Sequence, residues 1–332
     1  MFALRGARMT HGVFDCGAGI STVDALYDGN EMQTAVHILV ENGRAAVIDS
    51  ATAHAAPRIL AALAARGVSP EQVDYVVLTH VHLDHAGGAG TLMARCPNAH
   101  LTVHPRGVRH MIDPSRLMAA TVDIYGAQAT ARVYGDIVPV AAARVIETPE
   151  GSALTLAGRV LEIFDAPGHA RHHVVVRDTR TGHLFAGDSF GLSYRALDRD
   201  GRQSVFPTTS PTQFDPGALH DTVDRMLGLG PEAVYVAHFG QLRDVARLGA
   251  DMHRLIDAHV AVAERCRDAG RGRQARHARL RDGVAALVRS EAARQAWTLD
   301  ATDLMRVFEI DIELNAQGLA AWLDAGDRAG DR

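Results

Sequence analysis

The sequence predicts an α+β protein: two β/α halves sharing one core, followed by a helical C-terminal addition. Three observations predict it. Short Val- and Ile-rich runs alternate with helix-spaced segments early in the chain and again before Gly240. After Gly240 helical spacing takes over. The 332 residues are 47 % hydrophobic and 22 % charged, the balance of an ordinary folded chain, and long enough for one large domain with an appendage.

The elements follow in order. Ala35–Glu41 and Arg44–Ser50 read as strands, and Asn42-Gly43 between them is a hairpin turn signal. Ala55–Arg66 has helical spacing and stops at Gly67. Val73–Thr79 reads as a buried strand running into a His-rich loop, with a helix expected after Gly87-Gly88 through Arg95 and another strand at His100–His104. Residues 105–145 carry short helical patterns and read as an insertion on the core. Strands are expected at Val160–Ala166, His173–Arg177 and Gly182–Ala186. Residues 191–216 are polar and Pro-rich, the signature of a long loop at a functional edge. Pro216–Leu229 reads as a helix and Ala233–Ala237 as a strand that again runs into a histidine. Beyond Gly240, residues 241–268, 273–295 and 313–324 are helical, with one further strand expected at Arg306–Ile312.

Composition excludes several functions. The net charge of −5 offers no basic excess to attract nucleic acid or an anionic membrane. All 34 basic residues are Arg, so neither a Schiff-base lysine nor a P-loop lysine exists. Cys16, Cys96 and Cys266 are far apart and form no CxxC pair, which argues against a disulfide framework and for a reducing cytoplasm. The N-terminus lacks the apolar stretch of a signal peptide, and no apolar run approaches the ~18 residues of a membrane span. A cytoplasmic protein acting on a small molecule is the expectation.

The 18 histidines are the anomaly, because His is the commonest metal ligand. Thr79 to Gly88 reads THVHLDHAGG and places His80, His82, Asp84 and His85 within six residues. Alternate residues at a strand end project together, so His80 and His82 can share one metal. Asp84 and His85 lie where the chain turns, free to face a second. Imidazole and carboxylate suit Zn²⁺. A chance H-x-H-x-D-H arises in roughly one such chain in a few hundred. Left without a cation, the cluster is costly to desolvate.

This run resembles the signature of the metallo-β-lactamase superfamily, H-x-H-x-D-H after a strand, followed by a distant His, a distant Asp and a final His, each at a strand end. Pro167-Gly168-His169, Gly187-Asp188 and His238 fill those later places, and Asp49 follows the early hairpin where the family has an Asp. The resemblance covers roughly residues 35–240, is nearest the glyoxalase II and lactonase-like members, and implies an αβ/βα four-layer sandwich. It divides the chain into a catalytic domain at 1–240 and a helical extension at 241–332. It further implies that His80, His82 and His169 hold one metal, that Asp84, His85 and His238 hold a second, and that Asp188 bridges them. Two Zn²⁺ are implied, with Fe or Mn as alternatives. Asp49 would orient a ligand loop. His172 and His173 compete with His169 for its place, and the preceding Pro-Gly favours His169.

The implied reaction is hydrolysis of an ester, lactone or thioester by a hydroxide bridging the two metals. Two Zn²⁺ less Asp84, Asp188 and the hydroxide leave the centre at about +1, suited to an anionic tetrahedral intermediate. Asp84 would be a ligand that also orients the hydroxide. Tyr194 follows Asp188, and in lactonases of the superfamily a tyrosine there polarises the substrate carbonyl; a packed loop tyrosine is the alternative, because the spacing is longer here. Arg171 and Arg195 are candidates for a substrate carboxylate, with solvated arginines the alternative. The loop 191–216 and the insertion 105–145 are expected to wall the pocket. The C-terminal helices could cap it, form a homodimer interface, or simply pack on the core. A mononuclear iron sulfur dioxygenase shares the histidine motif and stays open, as does a phosphodiesterase of the same fold.

Overall fold

The computed structural model describes residues 9–10, 12–209, 211–267 and 272–330. The extreme N-terminus, read above for a signal peptide, and part of the Arg-rich stretch around residue 270 lie outside them. Fourteen strands among the described residues form two sheets. The first runs in chain order: β1 (Met9–Thr10), β2 (Val13–Gly17), β3 (Ile20–Asp24), β4 (Ala35–Glu41), β5 (Arg44–Ile48), β6 (Val73–Val77), β7 (His100–Val103) and β8 (Val145–Glu147). It is antiparallel to β5 and parallel from there on. The second contains β9 (Ala153–Leu156), β10 (Arg159–Asp165), β11 (Val174–Asp178), β12 (Leu184–Gly187), β13 (Val234–Val236) and β14 (Gly240–Leu242), with β12 and β13 its one parallel pair.

Period-two alternation turns these strands into layers. On β4, Val36 and Ile38 face outward, under α1 (Ala56–Ala65), while Leu39 faces the second sheet. On β12 and β13, Phe185 and Tyr235 face inward and stack with ring centroids 4.8 Å apart, while Leu184, Val234 and Val236 face outward. Ile48, Val77, Leu161, Ile163 and Val176 complete the core between the sheets. The short α2 (Leu83–Ala86) follows β6, and α3 (Ala89–Arg95) covers the first sheet beside α1. The insertion supplies α4 (Val108–Ile112), α5 (Ser115–Tyr125) and α6 (Ala127–Tyr134). The second sheet is covered by α7 (Pro216–Gly228) and α8 (Val245–Arg267), and onto these pack α9 (Gly272–Gln295), α10 (Ala301–Val307) and α11 (Glu309–Gly330). The result is the helix–sheet–sheet–helix sandwich with a helical C-terminal extension expected from the sequence.

The hairpin turn holds: Asn42 and Gly43 both have positive φ, 47° and 74°, as a two-residue turn between twisted strands requires. Two expectations fail. Arg306–Ile312 is not a strand but the end of α10 and the start of α11. Asp300 caps α10 by accepting from the Thr302 and Asp303 amides, and Leu304, Phe308, Ile312 and Ala316 bury one side at a spacing of four. Strand formation does not cease at Gly240, because Gly240–Leu242 pairs antiparallel with β13. The strands β1 to β3, β8 and β9 carried no expectation. All three cysteines are free. No described helix is long and apolar enough to cross a membrane.

Candidate metal centre

The site sits where β6, β10, β12 and β13 end, between the two sheets. After β6 the chain delivers His80 and His82 on an extended turn and Asp84 and His85 on α2. His169 follows β10, Asp188 follows β12 and His238 follows β13. At Gly187 the chain passes so close to the first half that a Cβ would stand 2.5 Å from Thr79 Oγ1 and 2.7 Å from His173 Nε2. Only glycine lets Asp188 reach this position.

All seven side chains converge. His82 Nδ1 lies 3.0 Å from His80 Nε2 and 3.1 Å from His169 Nε2. Asp84 Oδ2 lies 3.6 Å from His85 Nε2 and 3.4 Å from His238 Nε2. Asp188 faces both sets: its Oδ1 is 3.3 Å from His85 Nε2 and 3.6 Å from His238 Nε2, and its Oδ2 is 3.5 Å from His169 Nε2. Ligand atoms about 2.0–2.1 Å from a tetrahedral zinc stand roughly 3.3–3.4 Å apart, the middle of the 3.0 to 3.6 Å range seen here. Three groupings of these atoms could hold a metal ion: His80–His82–His169, His80–His85–Asp188 and Asp84–His85–His238. The fit is supported by two orphaned atoms. His85 Nε2 and Asp188 Oδ1 are buried and stand 3.3 Å apart, yet neither completes a hydrogen bond. Such groups are costly without a counterpart, and a cation supplies one.

The supporting contacts fix which nitrogen points inward. His169 Nδ1 donates to the Thr208 carbonyl, 3.1 Å away, and His238 Nδ1 to the Gln33 carbonyl, 2.8 Å away. Donation to a carbonyl requires the proton on Nδ1, which leaves the Nε2 lone pair for a metal. His85 Nδ1 donates to Asp49 Oδ2 at 3.0 Å, and Asp49 also accepts from the Thr79 amide and hydroxyl. With its proton given to Asp49, the Thr79 hydroxyl accepts from His80 Nδ1 at 3.2 Å. Asp49 therefore tethers both His85 and, through Thr79, His80. His172 and His173 do not join the groupings. His172 Nδ1 accepts from the Val81 amide. His173 Nε2 accepts from the Asp188 amide while Nδ1 donates to Ser189 Oγ, whose proton goes to the Ala166 carbonyl.

The electrostatics divide the cluster. Burial, reinforced by neighbouring imidazoles, holds His80 and His82 well below the usual histidine range, so they are neutral. At His238 burial acts the same way, but the Asp188 and Asp84 carboxylates outweigh it and raise the ring to about 9. Burial would raise Asp84, yet His85 and His238 hold it below the usual carboxylate range.

Above the cluster opens a cavity of about 310 Å³, in the size range of small-molecule sites. His82, Asp84, Asp188 and His238 form its floor. Leu117, Thr121 and Val133 of the insertion form one wall, and Tyr194 and Thr208 of the long loop another. The third comes from the C-terminal helices: Val307, Ile310, Asp311 and Leu314. The Tyr194 hydroxyl donates to the Asp311 carboxylate, 3.0 and 3.2 Å from its two oxygens. Arg171 and Arg195 do not line the cavity. Arg171 is exposed, and Arg195 is buried with its guanidinium held by Ser193 and Asp198. The sequence reading missed Asp311; the apolar period of four around it marks the helix but does not single out this residue.

Comparison with known proteins agrees with this architecture. The family model of the Metallo-beta-lactamase superfamily matches residues 29–238. A metallo-beta-lactamase fold-containing protein of Sulfurisphaera tokodaii is 29 % identical over 180 residues, 51 % of this chain and 62 % of that one. A hydroxyacylglutathione hydrolase of Stenotrophomonas maltophilia is 32 % identical over 152 residues, 46 % of this chain and 44 % of its own length. The chain thus spans about half the length of the curated relatives it matches. Among solved structures, a metallo-beta-lactamase family protein of Thermus thermophilus shares the fold over 95 % of both chains, with a TM-score of 0.62 and 20 % identity. The chain belongs to the metallo-beta-lactamase superfamily.

Proposed function

We propose that this member of the superfamily is a dinuclear metal-dependent hydrolase that cleaves an ester, lactone or thioester bond in a small, neutral substrate with an apolar acyl part. The observation that carries the reading is a pair of buried atoms that complete no hydrogen bond, Asp188 Oδ1 at the cavity floor and His85 Nε2 3.3 Å from it. His80, His82 and His169 would hold one ion, Asp84, His85 and His238 the other, and Asp188 would lie between them with one oxygen toward each. When bound, two divalent ions, zinc by the chemistry of these ligands with iron or manganese as alternatives, supply a water acidic enough to ionise near pH 7 and an electrophile for the acyl oxygen.

The protein's own residues do the rest. The Nδ1 tethers on His85, His169 and His238 hold their rings in one tautomer and one orientation, so the centre needs no reorganisation. Asp84 stays ionised at the cavity floor, where it can orient the attacking water by accepting a hydrogen bond from it. Tyr194 stands on the wall beside the floor, and its hydroxyl, when turned from Asp311, can donate to the acyl oxygen. The apolar wall from Leu117, Val133, Val307, Ile310 and Leu314 suits an acyl chain. Among the described lining residues Arg132 is the one guanidinium, and Asp28 pairs with it. Beyond the metal centre and His238, a thiol moiety rich in carboxylates meets no guanidinium free of a carboxylate partner among the described lining residues, and the same scarcity disfavours a phosphodiester.

The test is elemental analysis of protein purified without added metal, coupled to a panel of neutral esters, lactones and acyl thioesters. Two zinc ions per chain with chelator-sensitive turnover is the expected result. One iron per chain with oxygen consumption would replace the reading by a sulfur dioxygenase, and tight metal with no turnover would remove the enzymatic reading altogether.

A further inference from the structure

We propose that the Asp311 carboxylate is a substrate-recognition group, accepting a hydrogen bond from an N–H or O–H on the acyl part of the ligand. The inference rests on the cavity reading above and narrows its substrate class to acyl compounds that carry such a donor. Asp311 stands in the first turn of α11, between Ile310 and Leu314, on a wall that is otherwise aliphatic. A carboxylate offers about four acceptor positions. Among the described residues the Tyr194 hydroxyl is the one side-chain donor to this carboxylate, so its acceptor capacity is mostly unspent. No guanidinium answers it, because Arg132 is taken by Asp28. His238 Nε2 points at Asp84 and Asp188 instead.

The carboxylate is not a leftover of solvation. Burial raises its ionisation to about 6, even against the favourable field of His238. It is therefore mostly charged at neutral pH, in a setting that penalises the charge. A ligand donor relieves that penalty, whereas a purely aliphatic ligand seals the carboxylate away from water and worsens it. Engagement by a ligand also competes for the position of the Tyr194 proton. The Tyr194 hydroxyl stays protonated, held far above its usual range by burial and by Asp311. A ligand donor on Asp311 weakens the carboxylate as an acceptor for Tyr194, which makes it easier for that hydroxyl to turn toward the acyl oxygen. Recognition of the acyl donor and polarisation of the scissile carbonyl are thereby joined in one pair of side chains.

The test uses matched neutral ligands that cannot be hydrolysed: a medium-chain alkyl methyl ketone and its β-hydroxy analogue, titrated calorimetrically into the full-length protein. The expected result is tighter binding of the hydroxy ketone by on the order of 10- to 100-fold, the range of a hydrogen bond to a charged group. Asp311→Leu should bring the ratio near one while binding the plain ketone at least as well. Asp311→Asn, which keeps an acceptor and the shape, should keep part of the ratio, and it serves if the leucine variant does not fold. Tyr194→Phe should leave the ratio intact or enlarge it, since the carboxylate loses its internal donor. A wild-type ratio near one, or a ratio that survives in both Asp311 variants, overturns the proposal. Turnover of matched esters separates the two readings: hydrolysis without donor preference removes the recognition role alone, and donor-selective binding without hydrolysis removes the hydrolase alone.

Discussion

At and beneath the floor of the cavity, seven polar side chains stand at the ends of four strands, and four of them, His80, His85, His169 and His238, are held by hydrogen bonds to Thr79, Asp49, Thr208 and Gln33. On the C-terminal wall, Val307, Ile310, Asp311 and Leu314 ride on two helices held by apolar packing, by the Tyr194–Asp311 contact, by Asn315 bonded to Thr209 and Pro207, and by ion pairs from Glu313, Asp324 and Asp327 to α8 and α9. The floor has one arrangement available because its backbone is fixed by two sheets. The wall is placed by helix packing and side-chain contacts rather than by strand backbone. The proposed chemistry lies on the sheet-built part and the proposed discrimination on the helix-built part, so substitutions in one should leave the other largely unchanged.

The largest effect should come from the floor. Asp188→Asn keeps the shape but removes the charge shared between the two ion positions, so kcat/KM should fall on the order of 10³-fold or more, with occupancy reduced below two ions per chain. An Asn variant with full occupancy and near-normal rate would deny Asp188 its place between the ions. Next, Phe308→Ala empties a fully buried site that packs on Tyr194, Phe206 and Trp297. Denaturant unfolding should show a loss of about 3–5 kcal/mol. Metal content of the folded fraction should not change while ligand affinity drops, and equal losses of both would erase the distinction between floor and wall.

A smaller effect is expected from Asp49→Asn, which leaves every candidate ligand in place but weakens the tether on His85 and Thr79. Stepwise metal titration should show affinity lowered by about 10- to 100-fold at the Asp84–His85–His238 position. The smallest is a pH effect on the wall. The folded Asp311 holds its proton up to about 6 against the ordinary carboxylate value of 3.8, so its contribution to stability is complete below about pH 4 and disappears as pH rises through 6. Asp188, His238 and Tyr194 face the same carboxylate, so the comparison is made as a difference between wild type and Asp311→Asn in metal-free protein. Thermal melts should show the variant gaining relative to wild type between pH 4 and 7, and a constant difference across that interval would mean that Asp311 is not held in a desolvating wall.

How much of this is readable in the sequence follows the same division. His80, His82, Asp84 and His85 announce themselves because they are adjacent in the chain. His169, Asp188 and His238 are isolated but each follows a short β-rich run. Asp311 has no comparable signal: it is one acidic residue on an amphipathic helix, indistinguishable in sequence from the solvated Glu309 beside it. The segment Arg306–Ile312 even suggests the wrong period, since Val307, Phe308, Ile310 and Ile312 mimic a strand while the burial of Leu304, Phe308, Ile312 and Ala316 follows a helix. Tyr194 and Arg195 are neighbours of equal promise in sequence, and packing turned one toward the cavity and the other toward Ser193 and Asp198.

The sequence by itself determined the alternation of strands and helices, the turn at Asn42-Gly43 and the cluster His80, His82, Asp84 and His85, because these depend on local periodicity and on side-chain chemistry; His169, Asp188 and His238 were added by the resemblance to the superfamily signature. Only the tertiary structure decided which nitrogen of each ring faces inward, that His173 serves the Asp188 backbone, and that a helix from the end of the chain sets a carboxylate beside Tyr194. Those outcomes depend on contacts between residues far apart in the chain, whose geometry is set by how two sheets and their covering helices pack and by nothing written at either position alone.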